Sequence, residues 1–577
     1  MLGHRHAPVV AALVLFLPSL GAGFFADDFL RLRMLRGASP IDPRPFDLFR
    51  FLSGDEGLMR RLIATGEVEW WADPHAKLAF FRPLASLTHW LDDRLFGTFS
   101  PGHHLTSLLL WLLVVAATSA LFRRLSPTPR AGVLASWCFV LADSHALPVT
   151  WVANRHALLA TLFSVLALSS WERYRRGGGP RWAAVAFALL GLGFLSGEAA
   201  VGGWLLICAY ELLGRPEGRR PIAAWAGLAT LLAVYAAFYR VAGYGAAHSA
   251  IYLDPLGDPG RWLGAAATRL PMLVAGLLWA WPVDLVGLGA TANALIVGGS
   301  LALVPASLFV FAPTARHHRV VGALALGGLA ALLPLASTTV SSRQLLLPSV
   351  PAALLLGTFI DEVLSHQWGR SIRAGAGALL GLRHVLLAPI ILAVNVLAIG
   401  ASFRTVTREV TSSPWPADLS RRRLFLLGAP SWMSATYLRD ALELEGRGRP
   451  ERSYTLNLSA YPADLLRPEA RTLVLKLRCG EMLSTPEETL LRATPLTAGE
   501  SVEAESFRVT VLEADALGPR AVRFEFSGEL GDQLFARWTG ERYEAVELPP
   551  IGGVLELPGV AQGLGPMKRP PPRCEPE

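Results

Sequence analysis

Charged side chains are scarce in this sequence. Asp, Glu, Lys and Arg make up only 17% of its 577 residues, against roughly 25% in ordinary soluble domains. Disordered chains depend on a high charge content, and so do proteins that coat nucleic acid; the composition excludes both classes, and no nucleic-acid partner is expected. Lysine is the rarest charged residue, found at Lys77, Lys476 and Lys568. This is typical of a GC-rich bacterial genome, so we do not interpret the abundance of arginine as phosphate recognition.

Cysteine is also scarce, with four residues in the chain. Cys138 and Cys208 lie in apolar blocks, where a thiol packs as a small hydrophobic group. Cys479 and Cys574 lie in the polar C-terminal part, where an oxidising compartment would allow a disulfide. Their pairing stays open at this point. No spacing of Cys and His resembles a zinc site.

Hydrophobic residues, by contrast, make up 52% of the chain. They fall into blocks of membrane-spanning length that end near residue 401, which indicates a polytopic membrane protein. The first 401 residues hold 31 basic and 21 acidic side chains. The tail, residues 402–577, holds 22 basic and 25 acidic side chains. Positive charge in a membrane protein mostly records topology, because Lys and Arg stay on the cytoplasmic side.

The basic segments that connect the apolar blocks predict the topology. With these connecting segments in the cytoplasm, the chain makes about eleven crossings, its N-terminus is cytoplasmic and its tail is external. If the block at 262–282 crossed the membrane, the later basic segments would lie outside, against the positive-inside rule. We therefore predict that this block is re-entrant or interfacial. The expected location is a bacterial inner (cytoplasmic) membrane. The basic connecting segments are at 123–124, 173–176, 215–220 and 361–383.

The chain is expected to contain two domains. Residues 1–401 are predicted to form a mainly α, multi-pass transmembrane domain with a long first external loop, residues 26–102. Residues 402–577 are predicted to form a periplasmic, β-rich α+β domain, because apolar or alternating runs of strand length are separated by Gly and Pro. Within this tail, 431–444 is expected to be helical, and the last residues, GLGPMKRPPPRCEPE, are expected to be disordered.

The strongest local feature is the acidic pair Asp27-Asp28, where the first apolar block meets the external loop. The plain interpretation is a solvated pair that marks the end of a helix. The alternative is a general base. A carboxylate at a membrane interface is partly desolvated, which raises its basicity and suits it to remove a proton from an acceptor hydroxyl.

A second feature is a set of polar residues at the predicted external ends of the apolar blocks. Each alone is more often a capping or snorkelling side chain than a ligand, but together they predict the wall of a cavity. Arginine suits phosphate oxygens because its guanidinium binds them with paired hydrogen bonds. The candidates for binding a donor phosphate are Arg82, Arg155 and Arg343, and the other candidate cavity residues are His103, His104, Asn154, Glu198 and Gln344.

Several short motifs follow the acidic pair in a fixed order. They are FRPL at 81–84, LFGTFSPGHHLTS at 95–107, WVANRHALLA at 151–160 and SRQLLLPS at 342–349. In this order the sequence resembles the GT-C superfamily of polytopic glycosyltransferases, above all the transmembrane and tetratricopeptide-repeat-containing O-mannosyltransferases. It departs from that pattern where the usual Lys-Glu is Gly197-Glu198, where Gln344 replaces an aromatic residue, and in having no tetratricopeptide repeat.

The resemblance implies a glycosyltransferase of the hexosyltransferase type in the cell envelope. It would move a sugar from a polyprenyl-phosphate donor in the membrane lipid to an unknown acceptor, a glycan, a lipid or a protein, on the periplasmic face. Asp27 or Asp28 would be the base, and the arginines would bind the donor phosphate. No cofactor is assigned, and a divalent metal on Asp27, Asp28 and Glu198 stays open. The alternative is a non-catalytic membrane protein, a degenerate relative or a transporter, that anchors an external domain for envelope assembly.

Overall fold

The computed structural model describes residues 3–41, 45–214, 222–365, 372–563, 569–572 and 574. Within these ranges the chain is mostly helical up to residue 411 and rich in strands after it. The helices of the first part are α1 (Gly3–Phe16), α2 (Asp27–Leu35), α3 (Glu56–Ala64), α4 (Pro83–Phe96), α5 (Ser100–Leu125), α6 (Pro129–Val140), α7 (Ala146–Thr150), α8 (Arg155–Arg173), α9 (Pro180–Ser196), α10 (Ala200–Ala209), α11 (Ile222–Val241), α12 (Pro259–Trp279), α13 (Ala290–His317), α14 (Arg319–Ala330), α15 (Ser349–Leu364), α16 (Ile372–Gly381) and α17 (Ala388–Thr411).

Seven of the described helical segments are long and apolar enough to cross a membrane. An eighth forms if Pro129–Val140 and Asp143–Thr150, which meet at a bend of 46°, make one span. This is the composition of a multi-pass membrane protein. The count of eleven crossings and the orientation stay predictions. The seven are Ser100–Leu125, Val152–Gly178, Ile222–Val241, Pro259–Trp279, Ala290–His317, Arg319–Ser337 and Ile372–Thr411, and shorter apolar helices are at His6–Gly21, Pro180–Ser196 and Ala200–Gly214.

Helix α5 shows how such a span forms from its sequence. Pro101 occupies its first turn, where a missing N–H costs no intrahelical hydrogen bond. Trp111 and Val115 are fully buried on one face, whereas Leu109 and Leu113 on the opposite face are about half exposed. One face therefore packs against neighbouring helices, and the other is left for lipid.

The block predicted to be re-entrant or interfacial forms the continuous helix α12, with Pro271 inside it. Its length and hydropathy suffice for a crossing. Its C-terminal end packs against the middle of α13, where the Trp279 indole donates a hydrogen bond to Ser307 Oγ at 2.8 Å. The chain then turns back, and the Trp281 indole donates to Ile296 O near the start of α13 at 3.2 Å. The re-entrant assignment stays a prediction.

The long first loop is folded. It contains α2, α3 and α4. Strand β2 (Lys77–Ala79) pairs antiparallel with β1 (Arg50–Ser53) and with β3 (Gly245–Ala247), a segment that follows α11. The loop is thus tied to a distant part of the membrane domain.

The tail forms two sheets and two short helices. A six-stranded antiparallel sheet has the order β13-β6-β7-β10-β9-β8, and a four-stranded mixed sheet has the order β12-β11-β4-β5. In β9, Phe507, Val509 and Val511 are buried and Arg508 is exposed, which is the alternation of a half-buried strand. The sheet-rich tail is confirmed. Its elements are β4 (Arg423–Leu426), α18 (Trp432–Thr436), α19 (Leu438–Leu444), β5 (Arg452–Thr455), β6 (Ala463–Glu469), β7 (Thr472–Leu477), β8 (Ser501–Glu503), β9 (Phe507–Ala514), β10 (Pro519–Phe526), β11 (Leu534–Trp538), β12 (Tyr543–Ala545) and β13 (Val554–Leu557).

The tail packs directly on the loop and on α17. Helix α17 continues past residue 401, the predicted domain boundary, without a break. Phe403 on this helix stacks on Phe25, with ring centroids 4.0 Å apart, inside a hydrophobic core shared by the loop and the tail. This core places the start of α2 against the tail.

The sequence left one question and made one prediction about the end of the chain. Cys479 and Cys574 form a disulfide, which ties the last described residue to the six-stranded sheet. Of the segment expected to be disordered, 564–568, 573 and 575–577 lie outside the described residues. Arg569 is described and pairs with Gln562 in an isolated bridge.

Candidate functional site

A cavity of about 1090 Å³ lies where the membrane helices, the long loop and the tail meet. Its membrane side is lined mainly by apolar residues, including one face of α17. Its other side is lined by charged and aromatic residues of the loop and tail. The α17 face consists of Ile391, Asn395, Ala398, Ile399, Ser402 and Phe403, which recur at the spacing of one helical stripe.

Asp27 lines this cavity at the first turn of α2. Its Oδ1 accepts a hydrogen bond from the Tyr437 hydroxyl of the tail at 2.6 Å. The preceding residue, Ala26, has a φ of 50°, which residues other than glycine seldom adopt. The turn that presents Asp27 is therefore strained, a feature often found where a side chain must be held for function.

Asp28 has a different environment. It is buried, it pairs with the buried Arg31, and it accepts a hydrogen bond from Phe25 N at 3.1 Å. Desolvation raises the pKa of Asp28 to about 6, although the Arg31 guanidinium acts in the opposite direction. Asp28 does not line the cavity, so the structure separates the two members of the acidic pair.

Arg343 also lines the cavity. Its guanidinium lies over the Trp151 ring, 5.5 Å from the ring centroid. The Trp151 indole donates to Phe25 O at 3.2 Å, so this ring lies between Arg343 and the segment that carries Asp27. Among the described residues no carboxylate is within ion-pair distance of Arg343. Its charge is therefore available to an anion in the cavity.

A short turn holds Arg343 in place. The Ser341 hydroxyl accepts a hydrogen bond from the Arg343 backbone, and Gln344 Oε1 accepts one from Ser341 N, which forms a capping box. Asp284 Oδ1 in turn accepts hydrogen bonds from the Ser341 hydroxyl and from Ser342 N, both at 2.9 Å. Gln344, predicted as a cavity residue, thus shapes the turn and does not line the cavity.

Arg82 and Glu198 are brought together, but outside the cavity. Arg82 Nε donates to Glu198 Oε2 at 2.9 Å, and the Tyr239 hydroxyl donates to Glu198 Oε1 at 3.1 Å. The Arg82 guanidinium also lies over the Phe80 ring, 4.6 Å from its centroid. Each charge in this pair already has a protein partner.

Arg155 is fully buried. It pairs with Asp92 Oδ2 at 2.5 Å and donates to His103 O at 2.7 Å, and His103 Nε2 donates to Gly97 O at 3.0 Å. His104 and Asn154 are buried as well. The structure does not bring these residues to the cavity. We call the three ion pairs together the paired cluster; its members are Asp28, Arg31, Arg82, Asp92, Arg155 and Glu198.

Sequence reasoning missed the contribution of the tail. Its two short helices bring several polar and aromatic side chains to the cavity, next to loop carboxylates. Glu69 Oε1 accepts hydrogen bonds from the Trp432 indole at 2.8 Å and from Thr436 Oγ1 at 2.5 Å. The signal available in the sequence was the polar and aromatic content of the predicted helix 431–444. The missed tail and loop residues are Arg33, Glu67, Glu69, Trp432, Thr436, Tyr437, Arg439 and Asp440.

A second missed pair lies deeper in the cavity. Arg383, just before α17, donates to Asp143 Oδ2 at 2.7 Å and to Ala280 O at 3.3 Å. Ion pairs within membrane segments are costly unless each charge is matched, as it is here. The pair therefore places a polar, charge-balanced group on the membrane side of the cavity.

A metal site was left open by the sequence. Within the described ranges, no group of three or more His, Cys, Asp and Glu residues has a geometry that would bind a metal ion. In particular, Glu198 is held by Arg82 and Tyr239, while Asp28 is held by Arg31.

No known family profile matches the sequence, and no curated protein does. The solved structures with a distant likeness to this chain include the following two. One is the Archaeoglobus fulgidus oligosaccharyltransferase tethered with an acceptor peptide, at 14% identity and a TM-score of 0.39, with 78% of this chain and 64% of that chain covered. The other is ArnT from Cupriavidus metallidurans bound to undecaprenyl phosphate, at 14% identity and a TM-score of 0.37, with 78% of this chain and 89% of that chain covered. Likeness at this level assigns no activity to this chain, and the similarity to O-mannosyltransferases stays a prediction.

Proposed function

We propose that this protein transfers a sugar, of the hexose type, from a polyprenyl-phosphate donor to an acceptor hydroxyl. One observation carries the proposal: Asp27 and Arg343 line the same cavity, and neither has an ion-pair partner among the described residues. A carboxylate and a guanidinium without ion-pair partners in one cavity are suited to a base and an anion-binding group. We further propose that the cavity faces the periplasm, in line with the positive-inside rule.

The form of the cavity fits an amphipathic donor. The stripe on α17 and its apolar neighbours offer a surface for a lipid chain, and the charged loop and tail offer one for a sugar. The donor phosphate would lie at the junction between them. There the Arg343 guanidinium would donate paired hydrogen bonds to its oxygens.

The transfer follows from these positions. Asp27 removes the proton from the acceptor hydroxyl as its oxygen attacks the anomeric carbon of the donor. The bond between that carbon and the phosphate oxygen breaks, and the electron pair leaves with the polyprenyl phosphate. Arg343 stabilises the negative charge that develops on this phosphate. The proton on Asp27 then passes to water, which restores the carboxylate.

The proposal is tested with the purified protein and three donors: polyprenyl-phosphate mannose, glucose and galactose, each radiolabelled in the sugar. We expect the label to leave the lipid fraction with at least one donor, and to appear on a glycan, lipid or protein acceptor when membrane extract is added. Folded protein that neither releases nor transfers label from any donor would contradict the proposal. That result would favour the non-catalytic alternative, a membrane anchor for the external domain.

A further inference from the structure

We propose that Tyr437, a residue of the tail, is a positioning residue for Asp27. The inference rests on the proposed role of Asp27 as the base, and it gives the tail a part in the chemistry. Tyr437 and Asp27 are 410 residues apart in the sequence, yet the hydroxyl and the carboxylate are 2.6 Å apart. Both side chains line the cavity.

The hydrogen bond occupies only one of the two carboxylate oxygens of Asp27. Tyr437 donates to Oδ1, and within the described part of the chain no group donates to Oδ2. A carboxylate fixed at one oxygen keeps a defined orientation and offers the other oxygen to an incoming hydroxyl. Burial next to Asp27 holds the pKa of Tyr437 well above its usual value, so the phenol stays protonated and remains a donor.

Tyr437 is itself held rigidly. Its ring is buried between Phe29 of the loop, at 6.5 Å between ring centroids, and Trp432 of the tail, at 5.9 Å. The residues beside it in the sequence bind the loop as well, since Thr436 donates to Glu69. A donor whose ring is fixed on both sides loses little entropy in holding the carboxylate.

Ion pairs on the next helical turn fasten the same segment to the loop. Asp440 pairs with Arg33 at 3.2 Å, and Arg439 pairs with Glu67 at 3.0 Å. Arg33 also pairs with Glu67 at 2.7 Å, so the four side chains form one network. These contacts set the position of the tail helix, and thereby that of the Tyr437 hydroxyl.

The test compares Tyr437→Phe with a matched control, Tyr454→Phe. Tyr454 is another tail tyrosine whose hydroxyl donates to the loop, to Ala64 O at 2.8 Å, but it is not part of the cavity wall. Both variants lose one hydroxyl between tail and loop, and both keep the ring. Only Tyr437→Phe removes the donor from Asp27.

With the labelled donor that gives the highest release, we expect Tyr437→Phe to lower kcat by about tenfold, the size expected for one hydrogen bond to a charged group. The KM for the donor should stay within about twofold, because Asp27 acts on the acceptor and not on the phosphate. Tyr454→Phe should keep the wild-type kcat. Equal kcat values for wild type and Tyr437→Phe would overturn the inference.

An infrared measurement decides the contact without any substrate. The difference spectrum between wild type and Asp27→Asn isolates the carboxylate band of Asp27, and we expect this band to shift when the same difference is taken in the Tyr437→Phe background. If Tyr437→Phe does not fold, wild type and Asp27→Asn are compared with ring-labelled tyrosine, and the C–O stretch of one tyrosine should move. An unchanged band overturns the inference. An absence of sugar release together with a shifted band would instead count against the proposed function alone.

Discussion

The cavity and the paired cluster contain the same kinds of residue, yet they offer different chemistry. In the paired cluster Arg155 faces Asp92, Arg82 faces Glu198, and Arg31 faces Asp28. In the cavity Asp27 and Arg343 have no such ion-pair partners among the described residues. Buried charges are usually matched because an unmatched one carries the full cost of desolvation. The unmatched charges at the cavity are therefore the better candidates for binding and catalysis.

The comparison is tested most strongly by Asp27→Asn beside Asp28→Asn. If Asp27 is the base, its replacement should lower sugar transfer by at least about 10³-fold, within the range for the loss of a general base. Asp28→Asn should retain much more transfer per folded molecule, because Asp28 does not reach the cavity. Transfer is measured as released label, and the amount of folded protein by size-exclusion chromatography. Equal losses in both variants would remove the distinction between them.

Arg155→Met tests the paired cluster itself. It leaves Asp92 buried and without its cation, which is expected to cost about 3 kcal/mol of stability. The measurement is the thermal unfolding midpoint of the purified protein. The double variant Arg155→Met with Asp92→Asn should regain part of the loss, because the unmatched charge is then gone. A single variant as stable as wild type would show that the pair is not structural.

Arg343→Gln and Arg82→Gln compare an unpaired arginine with a paired one. Arg343→Gln is expected to lower kcat/KM for the labelled donor by about 10²-fold, the loss typical of one group that stabilises developing charge. Arg82→Gln should change it by no more than about threefold, because Glu198 already holds that guanidinium. If the two losses are reversed, the donor phosphate binds at Arg82, as the sequence alone allowed.

The sequence predicted helices and strands better than it predicted which side chains meet. Helix α5 follows from a continuous apolar block and strand β9 from local alternation, and both are signals within a few neighbouring residues. The separation of Asp27 from Asp28 depends on a local turn at Ala26 that no motif records. Tyr437 reaches Asp27 from the other end of the chain, and such a contact has no signature in a single sequence. For the same reason the sequence could not distinguish Arg343 from Arg82 and Arg155, because the ion pairs of the latter two form only in the folded chain.

The smallest expected effect concerns pH and the pair Asp28–Arg31. Because burial raises the pKa of Asp28 to about 6 in the folded state, the folded protein keeps a proton that the unfolded chain releases near the ordinary aspartate pKa of 3.8. Stability should therefore fall as pH rises from about 4 to about 6, by on the order of 2 kcal/mol, and then level off. The unfolding midpoint is measured across this range for wild type and Asp28→Asn. The variant should lose the decline, whereas Asp93→Asn, which removes a carboxylate paired with the exposed Arg36, should keep it. A decline that survives in Asp28→Asn would place the titrating group elsewhere and leave Asp28 as an ordinary member of the paired cluster.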